Sequence, residues 1–445
     1  MPYTEMGKTG RKLSLIVGRA RRDGDFQFTS LAHLLDVEYL RHCYQGLNRD
    51  KAVGVDAVSW QGYGEALEDN LERLVGRLKR KRYWPLPARR VYIPKNRTEK
   101  RPLGISALEN KIVERGITWI LESIYEQDFA DCSYGFRPGR SCHQALKRLN
   151  DLVMFAPVNH IVEADIKGFF DNVDHEKLLM LLRQRITDPT LLELIKRFLE
   201  AGYVEDDERV QSDKGTPQGS ILSPMLANIF LHYVLDDWFE TTVKAQVRGY
   251  CELIRYADDF VCVVQYADDA ARIERALTQR FGKYGLALHP EKSRTLSFGR
   301  YERENAKRSH RRPHTFDFLG FTHYCDVSRR GRYKLGRCTS RKKFSAKCRA
   351  LNSWLRAIRN LVKTKDWWPI LCAKLRGHYQ YYGVSENYAS IRNFYRIAVQ
   401  LVWKWLNRRS QKAKMNWADF GRYLAHYPLP QPRIVHRFYQ MSGGR

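Results

Sequence analysis

The sequence predicts an α+β protein in two parts, a mixed body over residues 31–330 and a helical region over 331–445. Short apolar strands interspersed with helical stretches of period 3.6 predict the first part. A change of composition near Ser340, to a helical, strongly basic and Trp- and Tyr-rich sequence, predicts the second.

Residues 1–30 are basic, Gly-bearing and weakly periodic, which reads as a loosely ordered N-terminal arm. Leu31 to Leu78 has helical spacing, with a turn around Ala52–Asp56. Arg89 to Ile93 reads as a short basic strand interrupted by Pro94, and a basic loop leads on to Arg101–Ile105. Helical periodicity returns over 108–129 and 143–154. A strand over 160–164 runs into Asp165, and Asp174 N-caps a helix whose face is Leu178, Leu179, Leu181, Leu182 and Ile186. Ser223-Pro224 starts another helix, because Pro at the first position gives up a donor that has no helical partner anyway. Leu253–Tyr256 and Phe260–Val264 read as strands joined by a tight turn at Ala257-Asp258-Asp259. Residues 299–315, charged and Pro-bearing, read as a surface loop, and no solenoid-length repeat is visible.

Charge narrows the function classes. The chain of 445 residues has 77 Lys and Arg against 49 Asp and Glu, a net charge of +28. Such a surplus repels itself unless an anion offsets it, and nucleic acid is the commonest such partner. The positive charge runs through nearly every segment instead of forming one basic amphipathic helix, which argues against a membrane-surface protein. Nine cysteines without a Cys-x-x-Cys pair argue against a zinc ribbon and point to reduced thiols. The N-terminus has no apolar h-region, and the longest apolar stretch, 221–235, is too short and too interrupted to span a bilayer. The expectation is a soluble, cytoplasmic protein with no membrane partner.

The candidate chemistry lies in the carboxylates. Nucleotidyl transfer uses divalent ions held by Asp residues at the ends of adjacent strands. Asp165 ends an apolar strand, and Asp258-Asp259 lie between two more. An Asp-Asp pair is more often a solvated turn, but these flanks look core-like. Tyr266-Ala267-Asp268-Asp269 repeats the four letters of Tyr256–Asp259. This second copy runs into an amphipathic helix, Ala270–Leu277, so Asp268 and Asp269 are assigned to a helix start, where acidic groups suit free N–H groups and the dipole.

Arg255-Tyr256-Ala257-Asp258-Asp259, Ala164–Asp171, Gly215-Thr216-Pro217-Gln218-Gly219-Ser220, Ser133–Ser141, His289-Pro290-Glu291-Lys292 and Phe316–Phe321 occur as six ordered motifs. Together they resemble the reverse transcriptases and maturases encoded by bacterial group II introns. The resemblance implies a right-hand polymerase fold, with fingers and palm over 31–330 and a helical thumb and maturase domain over 331–445. It implies RNA-directed DNA synthesis with two Mg²⁺ ions, or Mn²⁺ in their place, held by catalytic Asp165, Asp258 and Asp259 with Ile166. It implies that Lys95, Arg101, Phe170, Gln218 and Lys292 bind the deoxynucleoside triphosphate. In that scheme Lys95 and Arg101 hold the phosphates and Phe170 excludes a 2′-hydroxyl. Lys292 has two readings, general acid or structural. Implied partners are an RNA template, a DNA or RNA primer and the intron RNA, with association to the nucleoid when target DNA is engaged. Ser106 stands where the family usually has Pro, and Glu109-Asn110-Lys111 replaces its Asp-Lys.

In the last third, ten Lys and Arg between Arg329 and Arg349 precede a series of Trp and Tyr. Cations with interleaved rings suit RNA, and Arg337, Arg341, Lys342, Lys343, Tyr379 and Tyr382 are the candidate contacts. The competing reading of most of these aromatics is helical core. No Cys- or His-rich endonuclease module follows Pro428-Leu429-Pro430, so target cleavage is not expected from one. Two alternatives stay open: an RNA-binding splicing factor with a dispensable polymerase, and a host-adopted reverse transcriptase in DNA repair or phage defence.

Overall fold

The computed structural model describes residues 7–94, 100–211, 213–409 and 415–439. They divide into two compact units, one drawn from Met1–Ala145, Val162–Cys262 and Asp268–Arg294, the other from Leu146–Ile161, Val263–Ala267 and Thr295–Arg445.

In the first unit, β1 (Ala88–Pro94) and β2 (Lys100–Ile105) form an antiparallel pair in which Arg90 faces Gly104. Two more strands appear downstream of β3 (His160–Asp165): β4 (Tyr203–Glu205) and β5 (Glu208–Val210). They complete a sheet of order β2-β1-β4-β5, with β4 parallel to β1. β6 (Cys251–Tyr256) and β7 (Asp259–Val264) are the strands read on either side of the Ala257 turn, and they lie beside β3 in the order β6-β7-β3. At the head of β8 (Arg294–Ser297), Arg294 pairs with Glu163 of β3 at 2.9 Å.

Helix Leu108–Tyr125 is buried on nearly every side and forms the centre of this unit, as an apolar helix does when packed all round. Ser106, the departure from the family's Pro, donates its hydroxyl to the buried Glu114 of that helix at 2.9 Å. Asn110, in the second departure, accepts the Tyr83 hydroxyl at 2.9 Å, so both departures are built into the packing of this helix. Asp174 caps helix His175–Leu182 as read, accepting the Lys177 N–H at 3.0 Å.

The N-terminal segment differs from the expected loose arm. Residues Gly7–Arg22 form a helix that packs against Leu108–Tyr125 and buries Leu13, Ile16 and Ala20. These fall near one helical face, and the dense cations between them hide the pattern in composition.

In the second unit, β9 (Thr315–Phe318), β10 (Phe321–Val327) and β11 (Tyr333–Thr339) form an antiparallel sheet of order β11-β10-β9. Residue 330, the expected end of the first part, lies in the turn between β10 and β11. The expected loop over 299–315 contains helix Glu302–Arg308. Glu302 is buried there because Arg311 and the His314 N–H satisfy its carboxylate. Helices Arg341–Ile358, Thr364–Tyr382, Tyr388–Asn407 and Trp417–His426 follow, around a core that includes Leu355, Leu371, Ile391, Ala398 and Phe420. Among the described residues no helix is long and apolar enough to cross a membrane.

Candidate active site

Ala257 and Asp258 are the two central residues of the turn between β6 and β7. Ala257 has φ +58°, a left-handed conformation that costs an L-residue with a Cβ about 1–2 kcal/mol. Close packing holds it there. Tyr134 N–H donates to the Arg255 carbonyl at 2.9 Å and Arg255 N–H to the Cys132 carbonyl at 2.8 Å, laying the segment 132–134 along β6. Gly135 then meets the turn backbone directly, since a Cβ built on it would lie 2.3 Å from the Ala257 nitrogen.

Asp165 reaches the same site from the end of β3. Its carbonyl accepts the His289 N–H at 2.8 Å, Lys167 N–H donates to the Ala287 carbonyl at 2.9 Å, and the Lys292 ammonium lies 2.6 Å from an Asp165 carboxylate oxygen. This pairing keeps the 287–293 loop, and with it Lys292, beside the carboxylate. Burial raises the Asp258 pKa above the ordinary carboxylate value, and the negative charge of Asp165 adds to the rise. The Asp258 backbone N–H, Arg101 and Lys292 act in the opposite direction. Burial and the neighbouring carboxylate therefore outweigh the two cations.

A hard divalent ion fits this donor set. Mg²⁺ takes one or two protein carboxylates and fills its shell with water and phosphate oxygens. Among the described residues, no three His, Cys, Asp or Glu side chains form a metal-holding group. The structure brings Asp165 and Asp258 together, while Asp259 follows as the half-buried first residue of β7 and Ile166 lies buried beyond Asp165.

The nucleotide candidates divide. Arg101 donates to the Gln218 side-chain oxygen at 2.8 Å, and the Gln218 amide donates to Asp171 at 3.2 Å. The loop carrying Gln218 is locked onto β2 by Gly104 N–H donating to the Gln218 carbonyl at 2.6 Å. Gly219, at φ +112°, makes that approach possible, because a Cβ there would lie 2.4 Å from the Gly104 oxygen. Phe170 packs edge-on against the buried Phe169, 5.4 Å between ring centres. With Asp171, Thr216 and Gln218 it lines a cavity of about 340 Å³. Lys95 lies outside the described residues.

The second Asp-Asp copy is structural. It opens helix Ala267–Lys283; Asp268 is exposed and pairs with Arg248, while Asp269 is fully buried and accepts the N–H groups of Arg248 and Gly249.

The RNA candidates need correction. Arg341, Lys342 and Lys343 are exposed in the first turn of their helix, but Arg337, Tyr379 and Tyr382 are buried in the second unit and present no surface to RNA. Arg337 donates to Asn150 at 2.9 Å and stacks on the Phe438 ring. Tyr379 and Tyr382 join Trp367, Trp368 and Trp405 in the core, which is the competing reading of these aromatics. Arg255, Asp236 and Asn228, all buried beside the turn, are the residues that sequence reasoning missed. The available signal was a cation inside the otherwise apolar run Leu253-Ile254-Arg255.

The family model for reverse transcriptase (RNA-dependent DNA polymerase) matches residues 93–323, just over half the chain. The chain is 41% identical over 224 residues to the group II intron-encoded protein LtrA of Lactococcus lactis subsp. cremoris, covering 49% of this chain and 37% of that protein. It is 35% identical over 243 residues to protein YkfC of Escherichia coli K12, covering 48% of this chain and 63% of that one. Nuclear intron maturase 2, mitochondrial, of Arabidopsis thaliana is 28% identical over 176 residues, covering 31% and 24%. The match thus spans little more than a third of LtrA.

Proposed function

The chain belongs to the reverse transcriptase family, and from that premise we propose that it copies RNA into DNA by adding deoxynucleotides to a primer 3′-hydroxyl. The observation that carries this reading is the placing of Asp165, at the end of β3, beside the half-buried Asp258 of the turn that leads into neighbouring β7, where burial and the Asp165 charge hold the Asp258 carboxyl above its ordinary pKa. Asp165, Asp258 and Asp259, with Ile166, would hold Mg²⁺ or Mn²⁺, which supplies the charge that eases deprotonation of the primer hydroxyl and offsets that of the phosphates. Lys292 holds the Asp165 carboxylate in place through their ion pair, and its ammonium would then serve a departing pyrophosphate. Arg101 and Gln218, already bonded to each other, give a fork and an amide for the triphosphate and sugar. Phe170, at the cavity edge beside Gln218, is the group whose bulk would reject a ribose 2′-hydroxyl.

The RNA that the protein works with is read from likeness and from charge. Similarity to LtrA and to an intron maturase supports a group II intron RNA as partner, with maturation of that RNA and mobility as the biological setting. Arg341, Lys342 and Lys343 support a phosphate surface. Three cations in the first turn, with no acidic residue beside them, oppose the helix dipole, and a bound polyanion reverses that cost.

The test is primer extension on an RNA template with Asp258→Ala and Asp268→Ala. Loss of the Asp258 carboxylate is expected to lower extension at least about 100-fold, a few kcal/mol of transition-state stabilisation. Asp268→Ala, which removes one exposed ion pair, is expected to leave it unchanged. Extension by Asp258→Ala at the wild-type rate would sink the assignment.

A further inference from the structure

Arg255 is a fully buried cation on β6, one residue before Tyr256 and the turn, and no step of the proposed chemistry uses it. A guanidinium so placed is costly to bury unless every donor is met. All five N–H groups have partners. Nε and Nη2 donate to the two carboxylate oxygens of Asp236, at 2.7 and 2.5 Å. Nη2 also donates to the Ser133 hydroxyl at 2.7 Å, and Nη1 to the Asn228 side-chain oxygen at 3.1 Å. The remaining Nη1 donor reaches the carbonyl of Ala257 at 3.0 Å, the residue held in the left-handed conformation.

The surroundings are arranged for this contact. Asp236 is as buried as its partner and lies at the end of a π-helical turn, His232–Asp236, a local widening that is frequent at functional sites. Asn228, on the preceding helix, turns its amide N–H outward to the Gly135 carbonyl at 2.7 Å. One guanidinium therefore joins the turn's carbonyl to two helical turns and to the segment whose Gly135 presses on the turn from outside. Burial works against the charge on Arg255, but the charge and hydrogen bonds of Asp236 outweigh it and raise the guanidinium pKa above its ordinary value.

We infer that Arg255 and Asp236 are a buried positioning pair that fixes the Ala257-Asp258 turn so that the Asp258 carboxylate faces Asp165. The inference rests on the polymerase reading above and adds to it residues that touch neither substrate nor metal. A merely stabilising pair could be exchanged for apolar side chains of similar volume, a change that is often neutral or favourable in a protein interior. The hydrogen bond to the Ala257 carbonyl has no apolar substitute.

That difference sets the experiment. The double variant Arg255→Met/Asp236→Leu is compared with wild type and Asp258→Ala in single-turnover primer extension, template–primer binding, thermal melting and amide hydrogen exchange. Positioning predicts unchanged melting and template–primer affinity, kcat lowered about 10- to 100-fold, and KM for the nucleotide within about threefold. It also predicts a several-fold higher Mg²⁺ requirement and faster exchange confined to residues 256–259. Should the double variant melt early, Asn228→Ser breaks the same network at its rim, and a loss of about three- to tenfold in kcat with local exchange is expected. Wild-type kcat and exchange in the folded variant, or a loss that only follows the fraction unfolded, would overturn the inference. If wild type extends and Asp258→Ala does not, the polymerase reading survives that outcome. If both are inactive, that reading fails and this one with it.

Discussion

Gly135→Ala puts a methyl group where the structure has backbone. The new Cβ would lie 2.3 Å from the Ala257 nitrogen, 3.0 Å from the Tyr256 carbonyl carbon and 3.1 Å from the Ala257 Cα. Ordinary contact begins near 3.4 Å, so about 1.1 Å of separation must be found. No rotamer change can supply it, because all three neighbours belong to the turn's main chain. Gly135 cannot easily retreat either, since its carbonyl is bound by Asn228 and its neighbour Tyr134 is bonded to Arg255. Behind the turn, Phe260, Val261 and Cys262 of β7 are fully buried. The displacement is therefore shared with the Asp258 turn. Misplacing a reacting group by about 1 Å costs on the order of 100-fold in rate, and overpacking costs about 1–3 kcal/mol of stability. We expect kcat for primer extension to fall about 30- to 100-fold, with a melting temperature only a few degrees lower. Gly282→Ala is the control: its Cβ meets nothing within 4 Å, and in a helix the change stabilises by about 0.5–1 kcal/mol. Single-turnover extension at saturating nucleotide, with a melting curve for each variant, measures both. A Gly135→Ala protein within threefold of wild-type kcat would refute the idea that the turn's position limits the chemistry.

Phe170→Val should raise incorporation of ribonucleotides relative to deoxynucleotides at least about tenfold in kcat/KM, and unchanged sugar selectivity removes Phe170 from that role. Replacing Arg341, Lys342 and Lys343 together by Ala should lower the slope of log affinity for RNA against log salt by about 2–3, one counterion's worth for each cation; an unchanged slope places the phosphates elsewhere. His378, stacked on Phe394 at 3.8 Å, is held by burial, with the nearby charge of Lys347 adding, at a pKa of about 4, below its ordinary 6.5. The unfolded chain takes up this proton first, so stability is full above 6.5 and falls as pH drops from 6.5 toward 4, by up to about 3 kcal/mol. His378→Gln should flatten that part of the melting-temperature profile, and an identical profile would show that His378 stays neutral for no energetic reason of its own.

The residues proposed for chemistry were legible in the sequence because their signal is local. Short, largely apolar runs on both sides of Ala257-Asp258, and helical spacing after Asp269, separate two identical four-letter strings without any tertiary information. The residues that hold the chemistry in place depend on partners far along the chain. Arg337 looked like an RNA contact because composition counts charges and cannot see that Asn150, 187 residues away, meets one buried N–H. Asp236 carries no sequence signal of its role, because the π turn that ends on it leaves no periodic trace. Asp269 joins both kinds of information. Its position at a helix start was readable, whereas its work is done on Arg248 and Gly249, whose N–H groups it binds just ahead of β6. The second copy of the motif thus anchors the entry to the strand that delivers the first. Removing the Asp269 carboxylate should loosen β6 from its N-terminal end, while Asp268→Ala, one residue away, leaves the strand intact. Hydrogen exchange over 248–256 in Asp269→Ala and Asp268→Ala separates the two, and equal protection in both would mean that the entry to β6 needs no such anchor.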